Sequence, residues 1–434
     1  MRAKARILRR TAQRAVFFSE LEVERQECGQ KPAFFGGRRN APSAVDCAER
    51  KEYNKNKSRR GRPRKDGCRM KTEKMAQLAG LARNAGVEGV VLGPSADLAY
   101  LTGLAPLGDE RFKALFLLAD GRFFYISPEL YYEETRMALG EQADIFKWSD
   151  TEGFAAAIAR AGEKYRLAGA FAVNDGVRAV DAIDLSALTG MKLRNGVPLT
   201  EALRVVKTPA EQEALRRAAR IADRAADEMP AHIRPGMTEG EIREKLESLL
   251  FAYGAQGLAF ETIVASGPNS SRPHYCGGGR VIAENDVMVL DFGCRVEGFC
   301  SDISRTVFVG EPTAKMKEVY AVVLAANEAG EAAAKAGVSA QTVDRAARAV
   351  IGKAGYGEYF INRTGHGIGW ADHEPPFIKE GNAQILADGM AFSVEPGVYL
   401  PGEFGMRVED IVLLSGGRAE VLNRADKSLR IAGE

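Results

Sequence analysis

From Lys71 onward the apolar positions of the chain follow two rhythms. Leu78, Leu81 and Ala82 recur at helical spacing, Val87 to Leu92 is a short apolar run, and Ala114 to Leu118 and Phe123 to Ile126 are further runs separated by Ala119-Asp120-Gly121. Spacings of three and four residues put side chains on one face of a helix, whereas short apolar runs bounded by turn residues read as strands. Residues 71–204 are therefore predicted to form an α/β domain, and they carry no phosphate-loop signature and no cluster of metal-ligating side chains.

A boundary follows near residue 205. Thr208, Pro209 and Glu211 have the spacing of a reciprocal helix cap with proline at the first helical position, and the Ala- and Arg-rich segment through Ala226 continues as a helix. Residues 205–434 then alternate helices (239–253, 315–336 and 340–354) with hairpins, an α+β pattern. The similar hairpins of its two halves suggest an internal pseudo-twofold axis.

Residues 1–70 show no sustained periodicity, and their composition predicts disorder or an over-extended N-terminus. They hold 20 Lys or Arg against 8 Asp or Glu, leaving 40 against 50 in the rest, so the net +2 conceals a basic tail on a mildly acidic body. Within the tail, Arg59 to Lys65 resembles an AT-hook, a peptide that enters the minor groove of A·T-rich DNA. The bland reading, a solvated basic tail, is preferred, and no other nucleic-acid partner is expected. The cysteines at 28, 47, 68, 276, 294 and 300 form no Cys-x-x-Cys pair, which argues against a structural zinc site or a compact disulfide framework. A reducing compartment, hence the cytoplasm, is expected, and no apolar run is long enough to span a membrane.

The candidate chemistry lies in the last third of the chain. Asp291 ends the strand-like run from Val287, and Asp302 precedes Ser304 to Val309, with Cys294 to Gly298 as turn material. A turn centred between Val296 and Glu297 would set the two aspartates directly opposite each other, about 5 Å apart at Cβ. Glu395 and Glu409 flank a turn near Pro401-Gly402 in the same way. Facing like charges destabilise a sheet unless a cation sits between them. Two such pairs plus His366 point to a dinuclear metal site.

Six segments then carry a family resemblance: Leu290-Asp291-Phe292-Gly293, Ser301 to Thr306, Gly365 to Gly369, His373-Glu374-Pro375-Pro376, Glu395 to Tyr399 and Arg407 to Asp410. In this order they resemble the motifs of the pita-bread metallopeptidases, which include methionine aminopeptidases, Xaa-Pro aminopeptidases and Xaa-Pro dipeptidases (prolidases). Asp97 to Gly103 resembles a further Xaa-Pro peptidase segment. The resemblance implies a creatinase-like N-terminal domain, a pita-bread catalytic domain and a homodimer. It implies that Asp291 chelates one ion, that His366 and Glu395 bind a second, and that Asp302 and Glu409 bridge both. Oxygen-rich ligation with one imidazole suits Mn(II) or Co(II), with Fe(II) or Zn(II) as alternatives. It implies further that His274 lines the substrate cleft, that His373 donates to the scissile carbonyl or the oxyanion, that Glu395 shuttles a proton, and that Arg407 orients the bridging carboxylates. His232 fits no motif and is read as structural.

Two departures affect specificity. Asn362 stands where many Xaa-Pro peptidases have a histidine, and Phe377 where some prolidases place the arginine that receives a dipeptide's carboxylate. The expectation is therefore an Xaa-Pro aminopeptidase that accepts Xaa-Pro-Yaa peptides at least as well as dipeptides, with Arg280 as another possible anchor. A prolidase is the alternative reading. A binding protein on the same fold that has lost catalysis is the alternative of a different class, disfavoured by the complete ligand set.

Overall fold

The computed structural model describes residues 70–141 and 143–433, so the basic tail, with its AT-hook-like segment and three of the cysteines, lies outside the described residues. The first domain is built on a six-stranded sheet of β1 (Gly89–Leu92), β2 (Ala114–Leu118), β3 (Phe123–Pro128), β4 (Asp144–Trp148), β5 (Ala170–Val173) and β6 (Lys192–Asn195). The spatial order is β4-β3-β2-β1-β5-β6. β1 and β2 are buried along their whole length, which is why they read as unbroken apolar runs rather than as alternation. The helix Thr72–Asn84 covers the sheet with Met75, Leu78, Ala79 and Ala82 buried. The α/β expectation is met.

The helix Val197–Arg204 leads out of this domain, and the helix Pro209–Glu228 opens the next. Both halves of the predicted cap are present: Glu211 N–H donates to Thr208 Oγ1 at 3.4 Å, and Thr208 N–H donates to Glu211 Oε2 at 2.9 Å. Beside this crossing lies a buried ionic cluster. Arg204 pairs with Asp97 at 3.0 Å and with Glu374, and Lys207 pairs with Glu374 at 2.8 Å. Tyr100 donates to Glu211 at 2.8 Å, and its ring meets Trp370 edge-on with centroids 5.7 Å apart. Asp97 and Tyr100, from the Asp97 to Gly103 segment, thus face the second domain rather than substrate.

The second domain repeats one plan. The helices Pro209–Glu228 and Glu239–Ala252 precede a sheet of β8 (Ile263–Ser266), β9 (Val287–Phe292) and β12 (Ile303–Phe308). The helices Ala314–Ala333 and Ala340–Lys353 precede a sheet of β13 (Gly365–Gly367), β14 (Glu374–Ile378), β15 (Ala391–Val394) and β18 (Asp410–Ser415). Minor strands complete the set: β7 (Gly257–Leu258), β10 (Cys294–Val296), β11 (Phe299–Cys300), β16 (Gly397–Leu400), β17 (Phe404–Arg407), β19 (Arg418–Val421) and β20 (Arg430–Ile431). The two sheets touch at an antiparallel bridge between Ser304 and Glu409, where Glu409 N–H donates to Ser304 O at 3.1 Å. Beneath it Arg305 donates to Asp410 at 2.7 Å and to the Glu409 carbonyl at 2.8 Å, locking one half-sheet to the other.

The first hairpin departs from the expected register. Asp291 pairs with Ser304, and β10 pairs with β11 as Val296 with Phe299, so the turn is centred between Glu297 and Gly298. Asp302 is therefore diagonal to Asp291 rather than opposite it. The cause is the turn: Glu297 and Gly298 have φ of 52° and 86°, the two positive values that a two-residue I′ loop requires, and glycine takes the second place. The second hairpin behaves as expected. Val394 pairs with Asp410 and Gly397 with Arg407, which sets Glu395 across from Glu409.

Candidate metal centre

Every sequence-predicted ligand reaches one cavity of about 510 Å³ between the two half-sheets. Asp291, Asp302, His366, Glu395 and Glu409 line it, together with His274, His373, Asn362, Arg363, Arg407 and Cys276. Strand alternation explains the convergence, because Asp302 and Ser304, Ser393 and Glu395, and Arg407 and Glu409 are each two residues apart and project to one side.

Asp302, His366 and Glu409 offer one ligand atom each, all within 4.8 Å of one another. His366 Nε2 lies 3.2 Å from Glu395 Oε1 and 3.6 Å from Asp302 Oδ2. Its Nδ1 lies 3.1 Å from the carbonyl of Gly367, which can only accept. Nδ1 therefore carries the proton, and Nε2 turns its lone pair toward the carboxylates, the tautomer a metal ligand needs.

Among the described residues, Asp291 Oδ1, Asp302 Oδ1 and Glu409 Oε1 are buried and have no hydrogen-bond donor. Buried carboxylate oxygens without donors are costly, and a metal ion is the partner that this donor set fits. The protonation chemistry agrees. Burial, followed by repulsion from Glu409 and Asp291, holds Asp302 well above the usual carboxylate range. Burial and repulsion from Glu395 and Asp291 do the same to Glu409. Burial pushes Glu395 up to about 7 against the opposing pull of Arg407. Burial, reinforced by His373, drives His366 well below its ordinary value. Protons thus compete for the space that a dication would fill.

Arg407 is fully engaged. Its guanidinium donates to Asp291 Oδ2 at 2.5 Å, to Ser304 Oγ at 2.8 Å and to Tyr399 Oη at 2.8 Å, and it stands 4.0 Å from Glu409. It holds Asp291 directly, whereas Ser304 supports Glu409 through an Oγ donation of 2.7 Å. Ser304, Ser393 and Tyr399 were not singled out from the sequence, although the two-residue spacing of Ser304 from Asp302 and of Ser393 from Glu395 carried the signal. Ser393 donates to Glu395 at 3.1 Å.

His373 lines the cavity, with its ring centroid 3.9 Å from that of His366. His274 sits on the exposed wall of the cavity. Its neighbour Cys276 is also exposed. Glu374 turns away from the cavity into the buried cluster with Arg204 and Lys207. Arg280 is excluded as a substrate anchor, because its guanidinium is held by Asp286 at 2.5 Å and by Ser266 at 2.8 Å outside the cavity lining. Asn362 donates to the Glu395 carbonyl at 3.3 Å. His232 pairs with Glu228 at 3.0 Å, away from the site.

Comparison with known proteins agrees with this geometry. Residues 213–415 match the model of metallopeptidase family M24, and residues 74–206 match that of the creatinase/prolidase N-terminal domain. A Mycobacterium tuberculosis protein named probable dipeptidase PepE is 35% identical over 365 residues, 82% of this chain and 95% of that protein. A crystal structure of prolidase from Thermococcus sibiricus superposes with a TM-score of 0.78 at 35% identity, covering 82% of this chain and 98% of that one. An X-Pro aminopeptidase from Thermotoga maritima gives 0.73 at 32% identity, covering 82% and 99%. The chain belongs to metallopeptidase family M24, with a creatinase-type domain in front of a pita-bread-like catalytic domain, and is a metallo-exopeptidase. No helix among the described residues is long and apolar enough to cross a membrane.

Proposed function

We propose that this chain is a dinuclear Xaa-Pro dipeptidase, with residues 71–204 as its N-terminal domain and residues 205–434 as its catalytic domain. The observation that supports two ions is the spread of the donor set: Asp302, His366 and Glu409 offer atoms for one ion, while Asp291 and Glu395 bring further carboxylate oxygens to the same cavity, and Asp291 Oδ1 too is buried without a donor. Two ions would be held by Asp291, Asp302, His366, Glu395 and Glu409. The ions would supply an activated water and electrophilic stabilisation of the tetrahedral oxygen.

The protein's own groups account for the remaining steps. Glu395 accepts a proton from the nucleophile and delivers it to the leaving prolyl nitrogen. That delivery matters because an Xaa-Pro bond is a tertiary amide, whose nitrogen must be protonated as it departs. His373 donates to the oxygen on which charge develops. Arg407 fixes the rotamer of Asp291, and Ser304 and Ser393 fix those of Glu409 and Glu395.

The preference for a dipeptide reverses the expectation drawn from Phe377. Most of the similar proteins are named dipeptidase or prolidase, among them the Mycobacterium tuberculosis protein and the Thermococcus sibiricus prolidase, each at 35% identity. The complete donor set argues against a binding protein that has lost catalysis. Comparing kcat/KM for Ala-Pro and Ala-Pro-Ala, each with and without Mn(II), tests the proposal. Metal-dependent preference for Ala-Pro is expected, and preference for the tripeptide would return the chain to the aminopeptidases.

A further inference from the structure

Two permanently charged cations line the cavity, Arg363 and Arg407. They are in opposite states. Arg407 spends its fork on Asp291, Ser304 and Tyr399. Arg363 has no hydrogen-bond or ion-pair partner among the described residues; its recorded contact is with the ring of Phe377, whose centroid lies 4.8 Å from the guanidinium carbon. It is half-buried, two residues before β13, and Phe377 lies in β14, the strand paired with β13. A guanidinium resting on an aromatic face keeps its in-plane N–H groups free, and that fork matches a carboxylate in bidentate fashion. Arg363 therefore lines the same cavity as His366, His373 and Glu395 while remaining uncommitted.

We propose that Arg363 is the receptor for the free C-terminal carboxylate of the substrate, and that this contact restricts the site to dipeptides. The inference rests on the Xaa-Pro reading above and names the determinant of its length selectivity. It also assigns a use to Phe377. An aromatic ring there supports a guanidinium delivered from the segment leading into the neighbouring strand, where a second arginine would repel it.

The test compares Ala-Pro with Ala-Pro amide, which differ only in the carboxylate, on the metal-loaded wild type and on Arg363→Met, Arg363→Lys and Phe377→Leu. Arg363→Met is expected to lower kcat/KM for Ala-Pro about 10- to 100-fold, chiefly through KM, the scale of a charge-assisted hydrogen bond. The loss on the amide should be several-fold smaller than the loss on the acid. Arg363→Lys should recover part of the loss, and Phe377→Leu should show a smaller loss in the same direction. Equal losses on acid and amide would overturn the proposal and leave Arg363 a structural residue. Should Arg363→Met fail to fold, the acid-to-amide ratio in Arg363→Lys and Phe377→Leu decides, and an unchanged ratio in both overturns it. Should the wild type cleave neither compound, the Xaa-Pro reading falls by itself. Calorimetric binding of Ala-Pro against its amide to the wild type then judges Arg363: tenfold tighter binding of the acid supports it, and equal binding overturns it.

Discussion

Two buried charge clusters lie on either side of the Gly365 to Phe377 segment, and they are built to opposite rules. At the domain crossing Asp97 and Glu374 meet Arg204 and Lys207, two against two, with every charge within reach of an opposite one. In the cavity four carboxylates, Asp291, Asp302, Glu395 and Glu409, share two arginines, of which Arg407 alone is paired with them among the described residues, and three of the four keep an oxygen without a donor. A balanced cluster completes itself, whereas an unbalanced one in the same low-dielectric setting requires something from solution. Charge balance, more than burial or the number of acids, therefore separates a structural ionic cluster from a metal site.

The sharpest way to break this comparison is Asp302→Asn. The substitution removes one charge and turns amide hydrogens toward a cation. Changes one shell out already cost about 10- to 100-fold in metal affinity or activity, so loss of a ligand is expected to lower kcat/KM by more than about 100-fold. Elemental analysis should show one or both metals missing, and a variant with full metal content would refute the dinuclear assignment.

Arg204→Met probes the other cluster. It leaves Asp97 and Glu374 buried with less compensation and is expected to cost about 3–5 kcal/mol in urea denaturation. Metal content should not change. A loss of metal in this variant would show that the two clusters are one system.

Acidity distinguishes them next. A carboxyl whose folded pKa is raised stabilises the fold while it is protonated, fully so below its unfolded value, and that stability is lost as pH rises through the folded value. With Glu395 pushed up to about 7 and Asp302 and Glu409 also raised, chelated protein should be less stable at pH 8 than at pH 5. Glu395 alone contributes on the order of 3 kcal/mol to that difference. Metal-loaded protein should show the opposite trend, since protons displace the ions as pH falls. Denaturation midpoints at both pH values, with and without chelator, would expose identical trends if the comparison is wrong.

The smallest effect is expected from deleting residues 1–69. The family matches begin at residue 74, so Ala-Pro hydrolysis should persist and the thermal midpoint should move by less than about 2 °C. A truncated chain that no longer folded would move the start of the first domain upstream.

The contrast also shows what the sequence made legible. The four candidate carboxylates could be found because strand alternation and short hairpins act over fewer than twenty residues, and both leave a repeating mark, whereas the role of His366 was implied by the family resemblance alone. The first hairpin's register was misplaced by one position in its turn, since Glu297 gives little sign that it will adopt a positive φ beside Gly298. The Arg204 to Glu374 pair spans 170 residues and has no local signature. The role of Glu374 was hidden by its neighbour, because in a strand the residue after His373 must point the other way. Arg363 was passed over for the same reason that Arg407 was noticed: attention followed the spacing to a ligand, whereas an uncommitted cation is recognisable only once its surroundings are known.

Cys276 gives the cavity an experimental handle. Among the described cysteines it is the exposed one, while burial pushes the thiols of Cys294 and Cys300 up to about 11 and about 12 and leaves them unreactive. In a chain lacking residues 1–69, and with them Cys28, Cys47 and Cys68, a mild thiol-directed fluorophore should attach at this one position. The rim of the cleft would then carry an optical reporter, through which ion loading and peptide arrival could be followed in real time without waiting for a bond to break.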